Sequence, residues 1–325
     1  MINILKKLTG AFGVSGNEDE IRNTIKERIA DCVDEIYTDP LGNLVAVKKG
    51  RGKKIMIAAH MDETGVIATH IDDKGFIRFT NIGFVSPYYA LGQRIKFRNG
   101  TAGSISYEEK LSDMKDLRLS NMYIDIGTKG SDETKKKISV GDAARFVGET
   151  IMEGDMVISR GLDNRSGCSV LIKTACELHD TDNEIYYVFT VQEELGCRGS
   201  KAVANRLKPD LALVVDVTGV GDTPECKLKD IKCGYGPAIK IKDKTFICHS
   251  EVREIIENAA KKLDIPYQYE ILETGSTDSG AIFIACDGIP TGAISIPCRY
   301  IHTTIEMLNI KDVENASKLL MQCIV

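Results

Sequence analysis

Ile55-Met56-Ile57-Ala58-Ala59-His60-Met61-Asp62-Glu63 is the stretch whose reading decides the fold. Ile55 to Ala59 is an unbroken apolar run, the pattern of a strand buried on both faces. It stops abruptly at His60, Met61 and Asp62. Strand side chains alternate, so His60 and Asp62 can point the same way at the strand's end. Open α/β sheets gather their chemistry at the carboxyl ends of strands. An imidazole there with a carboxylate beside it reads as a metal ligand and its orienting partner. Alone, His-x-Asp is a weak signal, and a satisfied core histidine is the commoner case. The reading depends on further ligands downstream.

Composition sets the bounds. A chain of 325 residues exceeds what one hydrophobic core usually supports, so two domains are expected. Hydrophobic content of 43% with 27% charged residues puts it among ordinary globular proteins. A net charge of -5 argues against nucleic acid or an anionic membrane as partner. No apolar run is long enough to span a bilayer. Lys6 and Lys7 follow only a few apolar residues, so no secretory signal is expected and the location expected is cytoplasmic. The 10 cysteines include no Cys-x-x-Cys pair and are expected reduced and mostly buried. Cys197, just beyond Glu193-Glu194, reads first as a small core residue.

Along the chain, Ile21, Ile25 and Ile29 mark the buried stripe of a helix, with Asn17 or Ser15 as its expected cap. Asp39-Pro40-Leu41-Gly42-Asn43 is a strong turn between two strands. From about Gly65 to Gly154 helical periodicity gives way to short β-type runs punctuated by Gly, Asn and Asp, the texture of a small barrel or sandwich. The charged run Glu108 to Arg118 reads as a solvated loop or short helix. After Met156 α/β texture returns. Arg165–Leu178 reads as a helix, Ile185–Val191 and Leu211–Val217 as strands, Thr291–Ile296 as a strand and Ile310–Cys323 as a closing helix. The expected architecture is an α/β/α sandwich, residues 1–65 and 155–325, with a β-barrel-like domain, residues 66–154, inserted in it.

Four more segments end in acidic or imidazole groups. They are Gly161-Leu162-Asp163-Asn164-Arg165, Val191-Gln192-Glu193-Glu194, Val214-Val215-Asp216 and Pro297-Cys298-Arg299-Tyr300-Ile301-His302. Singly, each is a solvated cap. Jointly that reading is poor, because two of only 5 histidines fall in the pattern. Two histidines and three carboxylates suit a pair of divalent cations such as Zn, Co or Mn. Two cations roughly 3.5–4 Å apart can share and activate a water. A spare carboxylate is then needed as general base, and adjacent Glu193 and Glu194 at a strand end diverge by alternation, so one can bind metal while the other faces the water.

At these residues the sequence resembles the M42 family of dinuclear metallo-aminopeptidases, which includes the tetrahedral aminopeptidases. The resemblance runs in order through Gly13-Val14-Ser15-Gly16, Ala59-His60-Met61-Asp62-Glu63, Gly161 to Arg165, Gln192-Glu193-Glu194, Asp216-Val217-Thr218, Gly221-Asp222-Thr223-Pro224, Thr277-Asp278 and Arg299 to His302. It implies that His60 and Asp216 hold one metal, that Glu194 and His302 hold the other, and that Asp163 bridges them. Glu193 would be the general base acting on a metal-bridging water, and Asp62 would orient His60. The substrates implied are short peptides, trimmed from the N-terminus. The inserted domain would make dimers that build a tetrahedral dodecamer. The chain departs from the family's usual residues at Gly219, Val220, Ser276, Thr303 and Thr304, positions expected along the pocket.

Three other readings compete. An M20-type deacylase or carboxypeptidase shares the His-x-Asp and Glu-Glu logic, but places its extra domain after the Glu-Glu pair rather than between Asp62 and Asp163. Some M42 relatives carry an endoglucanase label. A glycosidase needs two carboxyls facing across a sugar, and this chain has no Trp to stack on one. A non-catalytic, metal-stabilised assembly is the third, and no ligand position shows decay.

Overall fold

The computed structural model describes residues 1–111, 113–226 and 230–325. Its centre is the strand the opening stretch predicts, Lys54–His60, buried along nearly its whole length. Glu184–Thr190 and Leu211–Thr218 pair with it in parallel on either side. Thr291–Arg299 pairs in parallel with Leu211–Thr218. Among the described residues this sheet has 11 strands, with antiparallel strands at both margins. The four parallel strands therefore deliver their carboxyl ends to one edge. His60, Asp216 and the segments carrying Glu193, Glu194 and His302 all arrive there.

The sheet is covered on both faces, as the unbroken apolar runs require. Ile55, Ile57 and Ala59 enter one core with the helices Ile2–Gly10, Asp19–Ile29, Leu162–Glu177, Ser250–Lys262 and Ile310–Cys323. Met56 and Ala58 enter the opposite core with residues of Arg198–Leu207 and Asp278–Phe283. Each fully buried aliphatic side chain contributes about 1.5–3 kcal/mol. The α/β/α fold class follows from that alternation.

Between Gly65 and Phe146 the chain forms a second sheet. Gly65–Ile71, Ile77–Ile82, Met122–Asp125, Ala102–Tyr107, Arg94–Phe97 and Ala143–Phe146 close into an antiparallel barrel. Val66, Ile77, Phe79, Ile95, Phe97, Ile105 and Ile124 fill it. Closure removes the sheet edges that short strands would otherwise expose. Within the charged run, Met114–Asp116 is a short 3-10 turn, and Ser112 lies outside the described residues.

Two local expectations fail. Cys32 and Cys176 are joined as a disulfide, with Cα atoms 4.7 Å apart, where reduced cysteines are expected. The partners are 144 residues apart in sequence, so no spacing announces the pair. The Asp19–Ile29 helix is not capped by Asn17 or Ser15. Its N-cap residue is Glu18, without a side-chain cap bond, and the Ser15 hydroxyl is donated to Asp62 instead.

Among the described residues, no helix is long and apolar enough to cross a membrane.

The Leu162–Glu177 helix lies close against the sheet at Gly167. A Cβ there would stand 2.3 Å from Asn164 Oδ1 and 2.7 Å from the Val215 carbonyl oxygen. Gly167→Ala is expected to cost about 1–3 kcal/mol of unfolding free energy by overpacking. It should also weaken divalent-metal binding, because Asp163 and Asp216 lie on the two elements pushed apart. Urea midpoints and metal titration of the same preparation check both effects.

Candidate active site

His60 is the last residue of its strand and is 2% exposed. Its Nε2 lies 3.0 Å from Asp163 Oδ1 and 3.5 Å from Asp216 Oδ1. Asp163 turns its other oxygen, Oδ2, to His302 Nε2 at 3.1 Å. His302 Nε2 is in turn 3.3 Å from Glu194 Oε2. Five side chains from five segments thus form two groups, His60–Asp163–Asp216 and Asp163–Glu194–His302, with Asp163 common to both. In each group the donor atoms lie within 4.8 Å of one another.

Local backbone makes this possible. Asp163 and Asn164 have non-helical dihedrals at the start of the Leu162–Glu177 helix, so the Asp163 carboxylate projects ahead of the helix body. His302 sits at φ 65° in the turn after the Thr291–Arg299 strand. Arg299 anchors that turn through two bonds to Asp222, at 2.9 and 2.7 Å. Glu193 and Glu194 do not sit on a strand end as the alternation argument supposes. The strand stops at Thr190, and Gln192, at φ 53°, begins a turn. The turn separates the pair: Glu193 Oε2 comes within 3.9 Å of His60 Nε2, while Glu194 faces His302.

Asp62 is fully buried and holds this turn. Its Oδ1 accepts from the Glu193 amide at 3.0 Å, and its Oδ2 accepts from the Glu194 amide at 3.2 Å and the Ser15 hydroxyl at 2.6 Å. Its Oδ1 is also 3.5 Å from His60 Nδ1.

The electrostatics are those of crowded, buried acids. Desolvation raises the Glu193 carboxyl well above its usual range, and Asp216, Asp278 and Glu194 add to the rise. Desolvation likewise raises Glu194 and Asp216. Burial also opposes ionisation of Asp163, but its contacts with His302 and His60 outweigh this and lower it. Burial disfavours a charged imidazole at His302, yet Asp163 and Glu194 push its pKa up to about 11. For His60, burial is outweighed by Asp216, Asp163 and Asp62, and the pKa rises well above normal. Glu194 Oε1 is buried with no hydrogen-bond partner. Oxygen and nitrogen donors, a surplus of carboxylates and an orphaned carboxylate oxygen together fit bound divalent cations.

The site opens into a cleft of about 410 Å³. Phe84, reaching over from the barrel side, lies along its wall with its ring centroid 5.9 Å from that of His302. Gly219 and Ser276, two of the departures from the family's usual residues, also line it.

The M42 glutamyl aminopeptidase profile matches residues 42–319. The chain belongs to the M42 family of aminopeptidases. A protein of Acetivibrio thermocellus is 59% identical over 100% of this chain and 98% of its own length. The aminopeptidase APDkam598 of the archaeon Desulfurococcus kamchatkensis superposes with a TM-score of 0.95 at 37% identity, covering 99% of this chain and 94% of that one. The TET1 peptidase of Pyrococcus horikoshii, which can assemble into a tetrahedron or a large octahedral shell, superposes with a TM-score of 0.90 at 31% identity, covering 99% and 98%.

One residue of this M42 site escapes a reading by motif. Glu306 is 2% exposed and accepts from the His302 amide through Oε1, at 2.8 Å, and from the Asp163 amide through Oε2, at 3.2 Å. One carboxylate therefore sets the backbone of two candidate ligands. Its only sequence signal is its place four residues after His302. Removing such outer partners typically costs 10–100-fold in metal affinity. Glu306→Gln can accept only one of the two bonds, so a loss of about tenfold in divalent-cation affinity is expected. Equilibrium dialysis checks it, with circular dichroism to establish that the fold is kept.

Proposed function

We propose that this M42 aminopeptidase removes N-terminal residues from short peptides with two divalent cations, Zn or Co in preference to Mn. His60 and Asp216 would hold one cation, Glu194 and His302 the other, and Asp163 would serve both. The observation that carries this reading is the Asp163 carboxylate, whose two oxygens face two imidazoles at 3.0 and 3.1 Å. When bound, such a pair supplies Lewis acidity, lowering the pKa of a water and polarising the scissile carbonyl.

Glu193 is the general base. Its carboxylate reaches into the cleft without serving either ligand group, 3.9 Å from His60. It takes a proton from the attacking water and passes it to the leaving amine. Burial raises its pKa above the usual carboxylate range, the direction that helps it hold the proton between the two transfers. Asp62 positions it through the backbone and orients His60 at the same time. Phe84 and Ile301 supply apolar wall at the mouth, where a peptide's first side chain would lie.

We assign residues 66–154 to an inserted domain that makes subunit contacts. Tyr88, Tyr89 and Val140 are among its exposed large apolar side chains, at 58, 51 and 63%. Dimers joined through it would build a tetrahedral dodecamer that admits short unfolded peptides. Light scattering is expected to give an assembly of that mass when metal is present. Monomer at every metal concentration would remove the assembly from the proposal.

Aminoacyl p-nitroanilides assayed after chelation and reloading with Zn, Co or Mn test the chemistry. Activity should vanish on chelation and return with metal. Glu193→Gln should lower kcat by about 10²–10⁴-fold while the metal content stays the same. Turnover that survives chelation, or a Glu193→Gln enzyme as fast as the parent, would overturn the assignment.

A further inference from the structure

Glu193 has neighbours that peptide hydrolysis does not use. The turn that carries it returns Cys197 beside it, at φ 54°, with the thiol donating to Glu193 Oε1 at 3.4 Å. Asp278 approaches from the helix Asp278–Phe283 and is 1% exposed. Its Oδ2 accepts from the Thr190 hydroxyl at 2.5 Å and the Ser200 hydroxyl lies beside the carboxylate, while its buried Oδ1 makes no well-aligned hydrogen bond. One donor atom from each of Glu193, Cys197 and Asp278 lies within 4.8 Å of the other two. That is the same closeness that joins the two candidate ligand groups around Asp163.

We propose that Cys197, Glu193 and Asp278 form a third cation site, selective for thiophilic ions such as cadmium or excess zinc. The donor set makes the distinction. The ligands around Asp163 are nitrogen and oxygen, whereas this group adds sulfur, which favours soft cations over Mn or Mg. A buried carboxylate oxygen without a partner is costly unless a proton or a cation meets it. Glu193 lines the cleft together with Gly196 and Thr277, the chain neighbours of Cys197 and Asp278, so an ion would reach the group from the side of Glu193. On binding, the Cys197 S–H bond breaks, a metal–sulfur bond forms, and the proton leaves to solvent. Glu193 then donates its lone pair to the ion and can no longer accept a proton from water. The consequence is reversible inhibition by the third ion. This last step rests on the reading of Glu193 as general base, whereas the binding itself does not.

The test uses the assembled enzyme loaded with cobalt and titrated with cadmium chloride. Cadmium and cobalt per chain, thiolate-to-cadmium absorption in the ultraviolet, and activity relative to the same protein without cadmium are all read. The wild type should take up one cadmium per chain with cobalt retained, show the absorption, and lose activity by about 10²-fold or more. Cys197→Ser and Asp278→Asn should lack both the added ion and the inhibition. No thiolate absorption in the wild type, inhibition that tracks cobalt loss, or equal uptake by Cys197→Ser would overturn the site. Uptake and absorption without loss of activity would uphold the site and count against Glu193 as the base.

Discussion

The Asp62 carboxylate is the constraint on which the rest of the site depends. It spends its acceptor positions on the Ser15 hydroxyl and the amides of Glu193 and Glu194, and it lies beside His60. Three segments of the chain meet on one side chain. A buried carboxylate is tolerated only when its lone pairs are occupied, and here protein donors occupy them. Desolvation opposes its charge, but its contacts with His60, Ser15 and Glu193 outweigh that and keep its pKa below the usual value. Asp62 thus stays ionised where Glu193 and Glu194 are pushed toward neutrality, and it remains the fixed reference against which they are placed.

That reference explains why strand ends were readable and turns were not. The apolar runs at Ile55–Ala59 and Leu211–Val217 could only be central strands, and parallel pairing then sent His60 and Asp216 to a common edge. Asp163 was legible as a group between a strand and a helix, but its projection needs non-helical dihedrals that residue spacing does not encode. The Glu193–Glu194 pair was legible as two diverging carboxylates, yet the separation arises from Gln192 in a left-handed conformation rather than from strand alternation. Glu306 was invisible because it acts on backbone amides, and such a partner carries no residue pattern of its own. The Cys32–Cys176 bridge was invisible for a similar reason: it joins the ends of elements whose proximity exists only after folding.

Charge accounts for the demand the site makes on its surroundings. Asp163, Glu193, Glu194 and Asp216 crowd around two imidazoles in a largely buried space. Carboxylates this close cannot all ionise without nearby positive charge, which is why burial and mutual repulsion raise three of them. Dications would meet that demand. Binding energy spent in this way is also folding energy, because the unfolded chain cannot assemble the ligand set.

The barrel's point of insertion matters to the same geometry. The chain enters it at Gly65, three residues after Asp62, and Ala143–Phe146 ends it before Arg160 and Asp163. The entering and returning segments are joined below the site by Glu63. Its Oε2 pairs with Arg160, and its Oε1 lies 3.5 Å from Arg165 Nη2. Arg160 also donates to the carbonyl oxygens of Thr9 and Ala11, which brings in the N-terminal segment. Space there is tight, since a Cβ at Gly13 would fall 2.4 Å from Arg165 Nη2. A buried ion pair contributes little net stability, but losing one partner costs about 3–5 kcal/mol. Its value here is geometric. The clamp ties the barrel's entry and return to the segments that carry Asp62 and Asp163.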